Sequence, residues 1–184
     1  MKYYLRLGLI LLIITAIASG ILAFINSFTQ PMIEENRRRT EEEARREVMP
    51  QAVKFELAED DFLFYIGRDE EDNIVGYTFI ATEYGYSSDI QTMVGLNADK
   101  TINKIKIISQ SETPGLGANC TDPEFQELFD GLKKEEVAID KDGGKIETIT
   151  GATITSRAIT NSIQKAIDKL ESSLSGNSPK GARS

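Results

Sequence analysis

Apolar side chains fall along this chain in three successive patterns. Between Arg6 and Glu34 there is no charged residue, and Leu7 to Ile25 is almost wholly apolar. From Glu34 to Val48 charge covers nearly every helical face. Glu34–Arg38, Glu35–Arg39, Glu41–Arg45 and Glu42–Arg46 are spaced four apart with the acid first, the order that supports a solvated helix ending before Pro50. Beyond that, apolar residues gather in strand-length stretches at Phe62–Ile66, Ile74–Ala81, Asp89–Leu96 and Ile102–Ser109. The last of these alternates, with its apolar face on the odd positions. Turn signals separate them: Asp72-Asn73, Gly85, Gly95, Gly115 and Gly117.

Asp122-Pro123 starts a predicted helix over Phe125–Leu132, with proline near its first position. Ile146–Ile149 reads as a further apolar strand. Ile159, Ile163, Ala166, Ile167, Leu170 and Leu174 recur at helical spacing and predict a terminal helix from Ser156 to about Leu174 with one buried face. Strands followed by a terminal helix indicate an α+β fold with an antiparallel-rich sheet rather than a doubly wound one. The expected organisation is an N-terminal transmembrane anchor over 1–33, a charged helical spacer over 34–50, one folded domain over 51–174 and a flexible tail over 175–184.

At about 1.5 Å per residue, a helix of roughly 20 apolar residues crosses a hydrocarbon core of about 30 Å, and the first segment is long enough. A cleaved signal peptide is the rival reading, because MKYYLR is basic and Ala16-Ile17-Ala18 precedes Ser19 as an A-x-A pattern. Against it, Ile21 to Ile25 continue the apolar run past that cut. Lys2 and Arg6 favour a cytoplasmic N-terminus, while Arg37, Arg38 and Arg39 crowd the other flank. The reading taken is a single-pass protein of the cytoplasmic membrane with its body on the periplasmic or extracellular face.

Charge and composition narrow the function. The chain of 184 residues carries a formal charge of -8, and every acid lies beyond residue 33. Such a body repels nucleic-acid phosphates, and no basic stripe offsets this. Histidine is absent, which excludes Ser-His-Asp and Cys-His sites, a histidine-ligated haem and a histidine zinc centre. A single cysteine, Cys120, forbids an internal disulfide and cannot hold an iron–sulfur cluster without other chains. No metal site and no catalytic residue is therefore expected, and redox chemistry would come from a bound cofactor.

Two strings stand out. Thr150-Gly151-Ala152-Thr153-Ile154-Thr155-Ser156 lies where a strand is predicted to meet the terminal helix. Its small residues allow another molecule close to the backbone, and the free N–H groups of a first helical turn attract an anion such as phosphate. A plain helix cap by Thr153 or Thr155 explains the same residues. Glu112-Thr113-Pro114-Gly115-Leu116-Gly117 joins one fixed φ angle to two free ones, so that amides can approach a flat ring or a phosphate; as a dinucleotide fingerprint it lacks the third glycine and reads as a turn. Tyrosines in strands ordinarily serve packing, and Tyr86 is singled out because it lies in a glycine-containing segment.

The first string is similar to the [ST]-G-A-T-x-[ST] attachment motif of covalent-FMN domains, the second to the E-T-P-G-L-G segment that contacts the flavin there. Gly85-Tyr86 through Val94-Gly95 resembles a third segment of the same family. From anchor to terminal helix, the chain resembles the G subunits of Rnf ion-translocating electron-transport complexes. The resemblance implies FMN esterified through its phosphate to Thr155, with Thr150, Gly151, Ala152, Thr153, Glu112, Thr113, Pro114, Gly115, Leu116, Gly117 and Tyr86 around it. Two departures are Gln110, where the family often has histidine, and Glu147, where it has aspartate.

By the same resemblance, the chain is an electron-carrier subunit of a ferredoxin:NAD+ oxidoreductase that exports Na+ or H+, and does not turn over substrate alone. Its implied partners are the other membrane and iron–sulfur subunits and a flavin transferase. Two alternatives stay open: the corresponding subunit of a sodium-translocating NADH:quinone oxidoreductase or another membrane flavin carrier, and a flavin-free tethered scaffold in which both strings are only turns.

Overall fold

The computed structural model describes residues 2–59 and 62–176. A helix, α1, spans Lys2–Val48, and the chain divides into two compact units, residues 1–40 and 41–184. In the first unit the apolar side chains are exposed: Leu9, Ile13, Ile17, Ile21 and Phe24 all lie on the surface. The helix is long and apolar enough to cross a membrane by length and composition.

The second unit is built on five strands: β1 (Lys54–Glu59), β2 (Leu63–Arg68), β3 (Ile74–Tyr84), β4 (Asp89–Asn97) and β5 (Ile102–Ser109). They pair antiparallel in chain order, each with the next. Alternation along each strand gives the sheet two faces. Phe79 pairs with Val94, and this face also carries Phe64, Ile90, Leu96, Ile105 and Ile107. Against it pack Ile159, Ile163, Ala166, Ile167 and Leu170 of α3 (Thr153–Gly176) to form the main core. Ile102 joins that core although its even number assigns it to the other face. A register shift between Gly95 and Leu96 inserts one residue into β5 and moves the alternation by one.

The other face holds Met93, with Ile80 and Ile108, and is covered by Ala44 and Val48, one helical turn apart at the end of α1. The charged segment is thus not solvated on every side: its two small apolar residues mark a buried stripe too narrow to stand out among the acid–base pairs. Val48 approaches β4 so closely that a Cβ on Gly95 would lie 2.2 Å from its carbonyl oxygen. Gly95 sits inside β4, as the apolar stretch Asp89–Leu96 suggested and against its reading as a turn signal. The Asn103 side-chain amide donates to the Val48 carbonyl at 2.6 Å and closes the helix end.

Other elements differ from expectation. β1 went unpredicted: it is an edge strand whose Leu57 stays exposed, so its alternation is weak. Ile146–Ile149 is not a strand. Only Ile146 bridges Ile139 in parallel, because Asp140 to Gly144 form tight turns that leave no partner segment. The helix expected over Phe125–Leu132 is the five-residue α2 (Pro123–Glu127), followed by turns up to Gly131. α3 begins three residues before the expected start and carries Ser175 and Gly176, the first residues assigned to the tail. The rest of that tail, 177–184, lies outside the described residues.

Candidate functional site

The cavity of chief interest opens at the N-terminus of α3. Its volume is about 690 Å³, within the roughly 300–1,000 Å³ of small-molecule sites. Four segments build it: the β3–β4 hairpin, the segment after β5, the tight turn around Lys141, and the turn into α3.

The hairpin loop Gly85–Ser88 closes with the Gly85 N–H donating to the Ser88 carbonyl at 2.8 Å. Its next three amides turn toward one carboxylate. Tyr86, Ser87 and Ser88 donate their backbone N–H groups to Glu112 at 3.2, 2.9 and 3.1 Å. Successive amides around one anion make a nest. Glu112 also accepts the Thr155 hydroxyl at 2.6 Å, a contact buried on both sides. Burial alone would raise this carboxyl, but the Thr155 hydroxyl and the three amides outweigh it and hold the group below the ordinary carboxylate range. Gln110, the departure from the family pattern, accepts the Glu112 N–H on Oε1 at 2.6 Å, a role an acceptor ring nitrogen could fill equally.

Gly117 makes the Glu112–Thr155 contact possible, because a Cβ there would lie 2.7 Å from both Glu112 Oε2 and Thr155 Oγ1. Gly151 has φ +75°, the left-handed region, and a Cβ there would also meet Leu116 at 2.9 Å. That turn ends at Ala152, whose carbonyl accepts the Ser156 N–H at 3.0 Å. Ala152 is thus the cap residue and carries no side-chain acceptor. Neither Thr153 nor Thr155 caps the helix: both lie inside its first turn, where amides lack an intrahelical acceptor.

Of the residues named from sequence, the buried Thr155, Glu112, Gly117 and Ala152 line the cavity on its inner side. The more exposed Thr113, Leu116, Gly151, Thr153 and Tyr86 complete the lining, the tyrosine 67% exposed and free to cover a ligand. Thr150, Pro114 and Gly115 do not line it. Pro114 and Gly115, the latter at φ +76°, shape the turn in which the Leu116 and Ala118 N–H groups return to the Thr113 carbonyl at 3.1 and 3.2 Å. Glu147, the other departure, is exposed and outside the lining.

Lys141 was not anticipated. It lines the cavity and its Nζ reaches Thr153 Oγ1 at 2.9 Å. Its neighbours are tied down: Asp140 accepts both the hydroxyl and the N–H of Thr148, and Asp142 accepts two bonds from Arg157 at 2.7 and 2.9 Å. In sequence it is one lysine in a polar loop, and only the Asp-Lys-Asp-Gly-Gly turn hinted that its backbone is fixed. Cys120 lies buried beside the site. Burial, with the nearby Glu112 charge, pushes its thiol up to about 12, so it is an inert packed residue.

These residues suit FMN. A hydroxyl and a cation converge at a helix N-terminus, as a phosphate requires, while Leu116, Ile154 and Tyr86 offer apolar and aromatic surface for a flat ring.

Comparison with known proteins agrees. Residues 85–168 match the model of the FMN-binding domain, and residues 2–48 that of the RnfG N-terminal region. The G subunit of the ion-translocating oxidoreductase complex of Methanosarcina acetivorans is 35% identical, over 86% of this chain and 89% of the relative. The G subunit of the Na+-translocating ferredoxin:NAD+ oxidoreductase complex of Acetobacterium woodii is also 35% identical, over 90% and 91%. The C subunit of the Na+-translocating NADH-quinone reductase from Parabacteroides distasonis, in its crystal structure, superposes with a TM-score of 0.58 at 17% identity. That match covers 74% of this chain and 93% of the other, a likeness of fold. With two family models and full-length relatives in agreement, the chain belongs to the family of G subunits of Rnf ion-translocating oxidoreductase complexes, and its body is an FMN-binding domain.

Proposed function

We propose that this chain is the covalent-FMN electron-carrier subunit of a membrane-bound, ion-translocating ferredoxin:NAD+ oxidoreductase complex, with the flavin phosphate esterified to Thr155. The observation that carries the reading is the Thr155 hydroxyl itself. It is 1% exposed, yet lines the cavity at the head of α3 and hydrogen-bonds to a fixed carboxylate. An ordinary core threonine needs none of this.

When bound, the flavin accepts and passes on electrons singly or in pairs. The chain's residues hold it in place. Lys141 and the first-turn amides of α3 offset the phosphate charge, Gly117 and Gly151 let the backbone approach closely, and Tyr86 with Leu116 shields the ring. Residues 1–33 are a retained anchor, and the body lies on the outer face of the cytoplasmic membrane. There a covalent bond prevents loss of a cofactor by dilution. Partners are the other membrane and iron–sulfur subunits, and a flavin transferase installs the group. Among the relatives, one is named for Na+ translocation and another for proton translocation, and either ion suits a carrier that does not itself bind it.

Intact mass decides the reading. The full chain, produced together with a flavin transferase, should gain the mass of FMN less one water and fluoresce after denaturing electrophoresis, and Thr155→Val should show neither. An unmodified wild-type chain would leave the flavin-free scaffold standing instead.

A further inference from the structure

Resting on the reading of Thr155 as the flavin acceptor, we propose that Glu112 takes the Thr155 hydroxyl proton as the ester forms, so that the chain supplies the base for its own modification. Three observations lead there.

The direction of the Glu112–Thr155 hydrogen bond is fixed. Three backbone N–H groups already donate to the Glu112 carboxylate, which has no proton to offer in return. Thr155 is therefore the donor, and its 2.6 Å separation falls in the roughly 2.5–2.7 Å range of charge-assisted O–H···O⁻ bonds. With its proton turned to Glu112, the lone pairs of Oγ are left for the cavity, and no other side chain donates to that oxygen among the described residues.

The carboxylate has one position. The hairpin amides hold it from one side, and Ser111 N–H donates to Ser88 Oγ at 2.7 Å, tying the strand exit to the same loop. A Cβ at Gly117 would push between the two oxygens, so the chain keeps a residue there that leaves the contact open. A base must first be within hydrogen-bond reach of the proton it removes, and this one is.

The third observation is a cation across the cavity. Lys141 Nζ stands at Thr153 Oγ1, two residues from the acceptor, where negative charge would collect as a phosphate arrives. A carboxylate behind the hydroxyl and a cation at the mouth form the polarity a phosphoryl transfer needs. Because such transfers pass through a loose transition state, the nucleophile needs little activation, and even a carboxylate held weakly basic, as Glu112 is, suffices as proton acceptor, the part the catalytic aspartate plays in protein kinases.

The step balances with a flavin dinucleotide, a mixed pyrophosphate, as co-reactant. The Thr155 Oγ–P bond forms and the P–O bond of the pyrophosphate bridge breaks. Its electron pair leaves with the nucleoside monophosphate. The Oγ proton passes to Glu112 and then to water, and nothing is oxidised or reduced.

The test is steady-state transfer from FAD by a flavin transferase to the full-length chain in detergent, with the modified chain counted by intact mass. Glu112→Gln should lower kcat by about 100-fold or more at a KM for the chain near wild type, assayed at a temperature where the variant is folded. Glu112→Asp, a carboxylate one methylene short, should fall between. A Glu112→Gln rate within about threefold of wild type, or a loss confined to KM, would overturn the proposal. If Glu112→Gln does not fold, Glu112→Asp decides: an undiminished rate overturns it, and a kcat about tenfold lower at unchanged KM upholds it. A wild-type chain that gains no mass in the same run would instead strike at the acceptor assignment on which the proposal rests.

Discussion

Glu112 and Arg45 are, among the described residues, the two charged side chains most deeply buried in the body, 5% and 8% exposed, and they are held by different forces. Glu112 sits in a shell of directed bonds from three amides and a hydroxyl. The Arg45 guanidinium carbon sits over the Tyr65 ring, 3.6 Å from its centroid, with Phe55 at 6.0 Å, and its Nε has no hydrogen-bond partner. A stack of this kind fixes a plane and leaves rotation within it, whereas four donors fix individual oxygen atoms. The difference separates an anchor from a site: the arginine glues the end of α1 to the sheet, while the glutamate presents one oxygen to one hydroxyl.

Gly117→Ala should break the contrast most severely. Its methyl group would fall on both oxygens of the Glu112–Thr155 pair, which must part. A loss of about 1–3 kcal/mol by denaturant unfolding is expected, as for overpacked interiors, with flavin loading reduced along with it. A chain that keeps both stability and loading would show that the contact is dispensable.

Acid sharpens the same point. Because the folded-state Glu112 carboxyl is held below its unfolded value, its contribution to stability is complete above about pH 4.3 and lost as pH falls through the lower folded value. Unfolding midpoints taken from pH 7 down to 3 should therefore fall less steeply in Glu112→Gln than in wild type. Asp140 and Asp142 are lowered too, the first chiefly by Thr148 and the second by Arg157, so part of the acid slope will remain in the variant.

Lys141→Met tests the exposed cation and should act more weakly. A charge beside a helix N-terminal anion at the surface contributes about 0.3–1 kcal/mol, so transfer rates should drop about two- to fivefold, with less difference at high salt. Smallest of all is Arg45→Met. Replacing a buried charge that has an unpaired Nε by an apolar side chain of similar length should change stability by less than about 1 kcal/mol in either direction. A loss of several kcal/mol would mean that the stack over Tyr65 carries more than an anchor does.

Much of this fold is written in periodicity. α3 announces itself through Ile159, Ile163, Ala166, Ile167 and Leu170, all of which enter the core, and β3 to β5 through short apolar runs. Where the pattern misled, a partner was missing or unforeseen. Ile146–Ile149 has strand composition but no neighbouring strand to pair with, and β1 has a partner but little apolar contrast. The buried stripe of Ala44 and Val48 was masked by the charges on either side of it.

The site divides in the same way. Local chemistry determined which strings matter, because a small-residue turn into a helix and a Pro-Gly-x-Gly loop have few other uses when they occur together in one short chain. That Glu112 and Thr155 share a hydrogen bond, and that Lys141 faces the same space, could not be read from positions so far apart in the chain. Backbone preference acts over a few residues and is carried by the sequence itself. Contact between distant loops depends on how a hairpin, a strand exit and a helix start converge once the sheet has formed, and only tertiary packing decides that.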